Sequence, residues 1–567
     1  MKPPPEADRS KIVLSISPVS PGGGSPEEIE KALKYYIDYA AASGIEGRWT
    51  GRGAAVLGLA EGTGVDAEVL KNLCLGISPS GEVLNKPRKD HTPAFDFCFS
   101  PPKSVSVMAY LHPDEAVRRE TIAAHEAGVA AVVAHIEAEV MASRRGANGR
   151  DGTVKVEIAA AQFRHGTSRE NDPQVHTHVV VVAICLGEDG RWLTLDMTKC
   201  FGVGRAGRVP THLGEVYDAA VRRELSSRLG VDWRRRGETK AWEIAGVPNA
   251  LIDEFSGRRQ KIKAAIDRLE SDSHAARQVA TLSTRPNKDP EKIPEVCIDD
   301  WRARLSSMKF GDAQWKRVGA KLGTNRPTAK PDLAQVLAHL VEKSPTFTAV
   351  TAAGAIADAA RTGLSARQVE GGLAALLASG EAVEVTPPKR ESGWQPERRW
   401  TTRTLLKLEA DTLALALGAS HRRDGTVESA IIERLIAADT LGADQADAVR
   451  RVLGNDGMVQ IVESAAASGK TRTMRACHAG WKAHAGFPCL AWLWARAPRT
   501  SSKKAPISVH RRSRRGSCRD ARFPEAQCSW STRRPRCPHL TSRRSSPRSA
   551  RPMGGSCWLV TGGSCRR

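Results

Sequence analysis

The pattern of hydrophobic and polar residues over the first part of the chain predicts several strands. Apolar residues alternate or run on in "KIVLSI" (11–16), "TVKVEIAAAQFRH" (153–165) and "QVHTHVVVVAICL" (174–186), as in strands that bury one face or both. The turn residues of "EDGRW" (188–192) predict a hairpin after the third of these. "DFCFSPPKSVSVMAY" (96–110) alternates on both sides of a Ser-Pro-Pro break, which predicts a strand, a turn and a second strand.

Helical spacing of apolar residues predicts helices between these strands. The first helix begins at "SPEE", where Ser25 can cap, Pro26 suits the first turn and Glu28 completes a capping box. It should end before Gly44. The other predicted helices cover residues 113–142, 211–229 and 248–272. The sequence therefore predicts an α+β domain over residues 1–310, an antiparallel sheet flanked by helices.

Shorter and more polar elements are predicted beyond this domain. Proline and charged residues make 285–297, "RPNKDPEKIPEVC", a predicted linker. Short amphipathic helices followed by "GEAVEV" predict a linker and a small α+β segment of winged-helix character over residues 311–430. In residues 431–487 a helix, the strand "MVQIV" and the loop "ESAAASGKT" predict the first part of an incomplete P-loop α/β domain.

Composition narrows the class of protein. A hydrophobic content of 41% and a charged content of 26% fit a soluble globular chain, and 567 residues give room for about three to four domains. The start, "MKPPPEADRS", lacks the apolar run of a signal peptide, and no stretch of ~18 apolar residues predicts a membrane span. Twelve cysteines without Cys-x-x-Cys spacing favour a reducing compartment, so a cytoplasmic protein without membrane insertion is expected.

The net charge of +22 comes mostly from the end of the chain. Residues 491–567 hold nineteen Lys and Arg against two acids, which leaves a net charge of about +5 for all the rest. A basic, irregular tail over residues 488–567 could be a disordered DNA-binding segment. A shifted reading frame is the interpretation that we favour. Back-translated with G/C-ending codons and shifted, residues 527–535 become Val-Leu-Val-Val-Asp-Glu-Ala-Ala, a Walker B strand, and residues 559–567 yield a second helicase-like motif, Gly-Asp-Arg-Arg-Gln-Leu-Pro.

Three histidines near the middle of the first domain are candidates for a metal site. Strand alternation places His176 and His178 on one face and Thr177 on the other. The short "GTSRENDPQ" connection can return His165, at the end of the preceding strand, beside this pair. A single histidine on an apolar strand is usually a packed core residue, but three imidazoles on one divalent cation leave coordination positions open for catalysis.

Three of the five tyrosines lie together on the first predicted helix, in "KYYIDY". Tyr35 and Tyr39, at i and i+4, could form an ordinary packed face. Alternatively, a phenolate could attack a phosphodiester whose oxygens the metal polarises. Tyrosine needs a base or a nearby cation to react at neutral pH. Asp96 could be that base, or it could orient a ligand histidine through its second nitrogen.

The tyrosine-bearing helix, "DFCFSPPKSVSV" and "FRHGTSRENDPQVHTH" resemble, in that order, segments of the TrwC/TraI-like (MobF) conjugative relaxases. The resemblance continues through "EIAGV", "FSGRRQKI" and "RRWTTRTLLKLE" and covers roughly residues 11–487. These relaxases are HUH endonucleases, in which a tyrosine cuts one DNA strand at an origin of transfer and stays bound to the 5′ phosphate. The resemblance therefore implies an HUH relaxase fold for the first domain and a truncated superfamily 1 helicase after it.

Site residues follow from the resemblance position by position. It implies Tyr35 as the nucleophile, with Tyr36 as the next candidate, and Asp96 as the acidic partner. It implies three metal ligands, His165, His176 and His178. Members often carry a second tyrosine pair about eight residues after the first, but position 43 is Ser, so a second nucleophilic role for Tyr39 stays open. The implied cofactor is a divalent metal, Mg or Mn, with Zn as the alternative.

The resemblance also implies partners, namely single-stranded DNA at an origin of transfer, accessory relaxosome proteins and coupling proteins of type IV secretion in a bacterial cytoplasm. Lys103, Arg164 and Arg169 are candidate phosphate contacts, although surface Lys and Arg are often only solvated. Two other functions stay open: a rolling-circle replication initiator or transposase of the HUH type, and a truncated DNA-binding protein without catalysis.

A vestigial nucleotide site is predicted in the helicase fragment. The predicted phosphate-binding residues are Gly469, Lys470 and Thr471. Ser464 occupies the place of the first glycine of the P-loop motif, and Walker B is absent from the frame as translated. ATP binding is therefore doubtful, and helicase activity is predicted to be lost.

Overall fold

The computed structural model describes most of the chain and divides it into two compact units. The described residues are 13–20, 24–86, 92–146, 152–201, 211–237, 241–269, 273–286, 289–386, 398–420, 426–455, 459–464, 469–485 and 556–561. The first unit is Met1–Thr402 and the second is Arg403–Arg567.

The first unit alternates strands and helices. Its strands are β1 (Leu14–Val19), β2 (Arg48–Thr50), β3 (Ala94–Phe99), β4 (Ala142–Arg144), β5 (Thr153–Thr167), β6 (Pro173–Gly187), β7 (Trp192–Thr194), β8 (Trp233–Arg236), β9 (Ala241–Ile244), β10 (Ala382–Glu384) and β11 (Trp400–Thr402). Its helices are α1 (Pro26–Ser43), α2 (Arg52–Val56), α3 (Ala67–Cys74), α4 (Lys103–Leu111), α5 (Glu115–Glu139), α6 (Met197–Phe201), α7 (Thr211–Leu229), α8 (Asn249–Glu254), α9 (Gly257–Arg268), α10 (His274–Ser283), α11 (Pro294–Ser307), α12 (Asp312–Val318), α13 (Leu333–Lys343), α14 (Ala349–Ala359) and α15 (Ala366–Ala378).

A seven-stranded antiparallel sheet is the centre of the first unit. Its strand order is β1-β3-β6-β5-β2, with β4 beside β5 and β7 beside β6. The predicted antiparallel sheet flanked by helices is confirmed, as is the hairpin turn that leads from β6 to β7. The capping box that begins α1 is also present, and Gly44 ends the helix with a φ of 63°.

The two faces of the sheet pack against different helices. Val180, Val182 and Ile184 of β6 join a core with residues of α1 and α3. Val179 and Val181, which alternate with them, join the larger core with residues of α4, α5 and α7. The valine run of β6 is therefore explained by burial on both faces.

The second strand predicted within residues 96–110 is wrong, because α4 occupies that place. The strand β3 ends before Pro101 and Pro102, and the helix starts at Lys103. Ser104 and Ser106, which gave the apparent alternation, are fully buried and hydrogen-bonded: the Ser104 amide donates to Glu243 at 3.0 Å, and Ser106 Oγ accepts from the Val175 amide at 3.1 Å. A helix that is buried on all sides shows no amphipathic period.

Two further segments differ from the prediction. The helix predicted for residues 248–272 is two helices, α8 and α9, separated at Phe255 and Ser256. The linker predicted for residues 285–297 contains the start of α11, and the carbonyl of Lys292 accepts a hydrogen bond from Thr167 at the end of β5. This segment is therefore packed against the β5–β6 hairpin.

The residues after α12 form three helices, α13 to α15, and the antiparallel pair β10–β11. The fully buried Arg222 of α7 joins this part to the sheet domain. It forms an ion pair with Asp218 and donates to the carbonyls of Ala357 (3.0 Å), Ala360 and Arg361 (3.1 Å) at the end of α14. A buried charge with this many partners holds the two helices in one arrangement.

The second unit contains α16 (Arg403–Ser420), α17 (Ser429–Ala438), α18 (Ala443–Gly454), β12 (Val459–Ser464), α19 (Lys470–Ala485) and β13 (Ser556–Thr561). The tail predicted to be irregular contributes β13, whose apolar "SCWLVT" pairs antiparallel with β12. The other residues of the tail lie outside the described ranges. None of the helices within those ranges is long and apolar enough to cross a membrane.

A buried histidine connects the helical layer to the central strand. His125 of α5 is fully buried, with its Nδ1 2.7 Å from the Tyr217 hydroxyl and its Nε2 2.7 Å from Thr177 Oγ1 of β6. Burial, together with the smaller effects of the positive charges of Arg164 and His176, lowers its pKa to about 3. The His125 ring is therefore neutral in the folded protein near pH 7.

We predict that His125 makes the fold sensitive to acid. In the unfolded chain His125 is protonated below about pH 6.5, whereas in the folded chain it stays neutral down to about pH 3. The free energy of unfolding therefore falls as the pH falls from about 6.5 to about 3. The cost approaches about 1.4 kcal/mol per pH unit. The free energy of unfolding in urea, measured at pH 7 and pH 4.5, should fall less for His125→Gln than for the wild type.

The matched control is His339→Gln, on the exposed face of α13, which should keep the wild-type pH dependence. An equal loss of stability in His125→Gln and the wild type would contradict the prediction.

Candidate active site

The β5–β6 hairpin brings the three predicted histidines together. His165 and His176 are direct partners across the two strands, and His178 faces Phe163 of β5 and Cys98 of β3. Their ring centroids lie 4.8 to 5.2 Å apart, and the three residues are 1%, 8% and 7% exposed in chain order. Three imidazoles this close and this buried form a donor set of the kind that binds a divalent cation.

Each ring is oriented through its Nδ1 atom. His178 Nδ1 lies 2.8 and 2.9 Å from the two carboxylate oxygens of Asp96, and His176 Nδ1 lies 3.0 Å from the carbonyl of Gln174. His165 Nδ1 lies 3.1 Å from the Tyr35 hydroxyl. Ligand histidines commonly engage one nitrogen in this way and bind the metal with the other. His176 and His178 each place one ring nitrogen within 4.8 Å of the other and so fit a divalent metal, and the His165 ring lies beside them but is not within that ligand group.

Asp96 sets the protonation of His178. Burial by itself would lower the pKa of His178, but Cys98 and Asp96 beside the ring outweigh it and raise the pKa to about 10. A metal that binds this ring must displace its proton, so binding should weaken as the pH falls. Of the two roles left open for Asp96, the geometry matches the orientation of a histidine.

The three tyrosines of α1 all point at this cluster. The Tyr36 hydroxyl donates to Asp96 at 3.1 Å, and the Tyr39 hydroxyl accepts from the Gly166 amide at 2.8 Å. The Tyr39 ring lies 3.9 Å from the His165 ring, centroid to centroid. Their shared helix face is thus more than apolar packing, because each hydroxyl reaches a polar group of the sheet.

Burial raises the pKa of each tyrosine above its ordinary value. For Tyr36, the Asp96 carboxylate adds to the rise. For Tyr35, Tyr39 adds to the rise and Arg169 opposes it. Tyr35 and Tyr39 each contact His165 and lie near a guanidinium, Arg169 and Arg164 respectively, but only the Tyr35 hydroxyl is hydrogen-bonded to the His165 ring among the described contacts.

The structure brings one of the three predicted phosphate contacts to the tyrosines. Arg169 is half-buried, donates to the carbonyl of Pro286 at 3.0 Å and acts electrostatically on Tyr35. Lys103 instead donates to the carbonyl of Pro173 at 2.8 Å. Arg164 alternates with His165 along β5 and pairs with Glu126 of α5, on the other face of the sheet.

Two groups that the sequence analysis missed also belong to this region. Asp172, 3% exposed, accepts from the Gly257 amide at 2.8 Å and from Arg304 at 3.1 Å, and thereby fixes the turn between β5 and β6. The positive φ of 58° at Asn171 is a turn signal that "ND" in the sequence could have given. The other group is Cys98, two residues after Asp96 and hence on its face of β3.

The predicted nucleotide residues lie in the second unit. Gly469 has a φ of 75°, and Lys470 and Thr471 begin α19. The strand β12 ends at Ser464, and residues 465–468 lie outside the described ranges. The order of strand, glycine and helix is that of a P-loop, but the described partner of the strand, β13, is antiparallel.

Tyrosines of one helix thus face three histidines on an antiparallel sheet, which is the arrangement that the resemblance to HUH relaxases predicts. Residues 26–308 match the sequence model of the family described as TrwC relaxase, and the chain belongs to this family.

The chain is also similar to conjugation proteins and to solved relaxase structures. The multifunctional conjugation protein TraI of Escherichia coli is 33% identical over 354 residues, and that of strain K12 is 32% identical over 357. Each match covers 59% of this chain, which spans only 19% of the relative. The conjugative relaxase TrwC in a metal-free complex with oriT DNA is 28% identical over 53% of this chain and 100% of that one, with a TM-score of 0.44. A copper-bound form of the same relaxase in complex with oriT DNA is 29% identical, and the match covers 53% of this chain and 99% of that one, with a TM-score of 0.44.

We predict that Asp96 supports metal binding through His178. Asp96→Asn should weaken Mn²⁺ binding by about ten- to hundredfold, because the ring loses the carboxylate that orients it. Isothermal titration of the metal-free full chain measures this. Asp38→Asn, on the exposed side of α1, is the control and should bind like the wild type. Unchanged affinity in a folded Asp96→Asn protein would rule out this role.

Proposed function

We propose that the chain is a conjugative relaxase, which nicks one strand of DNA at an origin of transfer in a metal-dependent reaction. The observation that carries the proposal is the contact between the Tyr35 hydroxyl and His165, inside a cluster of three histidines within the family-matched residues. The similarity to conjugation proteins named TraI supports the same biological process.

The proposed chemistry is a transesterification. Tyr35 Oη attacks phosphorus, the bond from phosphorus to the 3′ oxygen breaks, and a 5′-phosphotyrosyl link and a 3′ hydroxyl remain. The proton that the phenol loses is balanced by the proton that the 3′ oxygen takes up. A bound divalent cation would polarise the phosphate oxygens. With Nε2 of His165 as the proposed metal-binding atom, the neutral ring would carry its proton on Nδ1, which can donate to the Tyr35 oxygen and stabilise the phenolate.

Tyr35 suits the role of nucleophile better than its neighbours. Tyr36 donates to Asp96, which stabilises the neutral phenol. Tyr39 accepts the Gly166 amide and packs on the His165 ring, which gives it a supporting position. Arg169 near Tyr35 favours the phenolate and can also contact a phosphate.

The proposed metal ligands are His165, His176 and His178, with Mg²⁺, Mn²⁺ and Zn²⁺ as the ions to compare. The proposed substrate is single-stranded DNA at an origin of transfer. By family resemblance, accessory relaxosome proteins and the coupling protein of a type IV secretion system are the proposed partners, in the bacterial cytoplasm.

We predict that Tyr35→Phe abolishes the covalent link. With a labelled oligonucleotide that spans the origin and with Mg²⁺ or Mn²⁺ present, the wild type should give a protein–DNA adduct on a denaturing gel. Tyr35→Phe should lower adduct formation by at least about a thousandfold, because the nucleophile is gone.

Tyr110→Phe is the matched control, since it removes a buried hydroxyl of α4 outside the tyrosine helix, and it should form the adduct. Tyr36→Phe should form it more slowly. Full adduct formation by Tyr35→Phe would contradict the assignment and make Tyr36 the next candidate.

We also propose that the helicase activity is lost. A P-loop lysine and threonine act on nucleotide together with a Walker B acid, which the translated frame lacks. The full chain should therefore release no phosphate from ATP above the level of Lys470→Ala, with or without single-stranded DNA, in a phosphate-release assay. Turnover that Lys470→Ala removes would contradict this proposal.

A further inference from the structure

A cysteine lies within the histidine cluster. The pairing of β3 with β6 makes Cys98 the direct partner of His178. The sulfur of Cys98 and one ring nitrogen each of His176 and His178 lie within 4.8 Å of one another, which makes these three residues a potential ligand group among the described residues. Cys98 is half-buried, while the two histidines are buried.

We propose that Cys98 is a direct ligand of the metal, so that the site offers a thiolate beside its imidazoles. This deepens the proposed function, because it rests on the metal site of the relaxase and specifies which ions the site prefers. On binding, the S–H bond of Cys98 is replaced by a bond from sulfur to the metal, and the proton passes to the buffer. With His165 as the third proposed imidazole, the ligand set becomes three nitrogens and one sulfur, which suits Zn²⁺ and is poor for Mg²⁺.

A comparison within the same sheet separates this role from ordinary packing. Cys185 of β6 lies in the large apolar core, where a cysteine behaves as a small hydrophobic residue. Cys98 instead lies on the opposite face, with Asp96 two residues before it and His178 across from it. Its side chain contacts His178 and reaches Ser100 Oγ at 3.9 Å, a long contact that a metal bond could replace.

The consequence is a preference for softer ions. Thiolate ligands favour Zn²⁺, Cu⁺ and related ions, whereas Mg²⁺ and Mn²⁺ favour oxygen ligands. The wild type should therefore bind Zn²⁺ more tightly than Mn²⁺ by a margin that depends on Cys98. Removal of the thiol should cost Zn²⁺ affinity and leave Mn²⁺ affinity nearly unchanged.

The test uses Co²⁺ as a spectroscopic probe on the metal-free full chain. A thiolate bound to Co²⁺ gives a near-ultraviolet charge-transfer band, in addition to the visible bands of the ion. The wild type should show both, and Cys98→Ser should keep the visible bands and lose the charge-transfer band. Cys200→Ser is the control, because Cys200 is also half-buried but its sulfur exchanges hydrogen bonds with the backbone of Ala142, outside the histidine cluster, and it should match the wild type.

Competition titrations with Zn²⁺ give the second readout. Cys98→Ser should bind Zn²⁺ at least about tenfold more weakly than the wild type, with Mn²⁺ affinity within about twofold. Retention of the charge-transfer band and of Zn²⁺ affinity in Cys98→Ser would overturn the proposal while the metal site stands. Co²⁺ binding that His176→Ala and His178→Ala leave unchanged would overturn the metal site itself, and this proposal with it.

Discussion

The antiparallel register between β5 and β6 determines where each group of the active site lies. Because side chains alternate along a strand, a slip of one residue would move His176 and His178 to the opposite face and bring Thr177 into their place. The register is held at its closed end by Asn171 and Asp172, and an irregularity in the ladder follows His165. On the far face, His125 holds Thr177. The three histidines are thus positioned by contacts on both sides of the sheet.

Burying this many polar groups is costly unless each has a partner, since a buried group that loses its hydrogen bond costs about 1–3 kcal/mol. In this site the polar groups form a hydrogen-bond network in which one group can have two partners. Asp96 accepts a hydrogen bond from Tyr36 and is also hydrogen-bonded to Nδ1 of His178. Its strand, β3, carries Cys98 as well, which pairs with His178. The tyrosine helix is therefore anchored to the same strands that carry the histidines, so the fold fixes the distance between the tyrosines and the histidines.

Sequence patterns predict the elements that have a clear period or cap, and fail where burial removes the period. The capping box of α1 and the alternation in β6 depend on local chemistry, so the first helix and the face of His176 and His178 could be predicted. The helix α4 could not, because buried serines with hydrogen bonds to distant residues imitate a strand pattern. The position of Cys98 beside His178 results from the pairing of β3 with β6, which joins residues 80 apart in sequence. The alternation of residues within one strand does not predict such a pairing.

The double use of Asp96 constrains the chemistry of the nucleophile. A carboxylate that already holds an imidazole and a phenol has little capacity left to remove a proton from Tyr35, which contacts His165 instead. The ionisation of Tyr35 must therefore depend on positive charge nearby, and Arg169 is the described cation that acts on it. The reactivity that we propose for Tyr35 therefore depends on the electrostatics of its surroundings rather than on the high net charge of the tail. The weakly basic charge of the first 490 residues is therefore compatible with the proposed anionic substrate, because a single guanidinium beside Tyr35 can contact its phosphate.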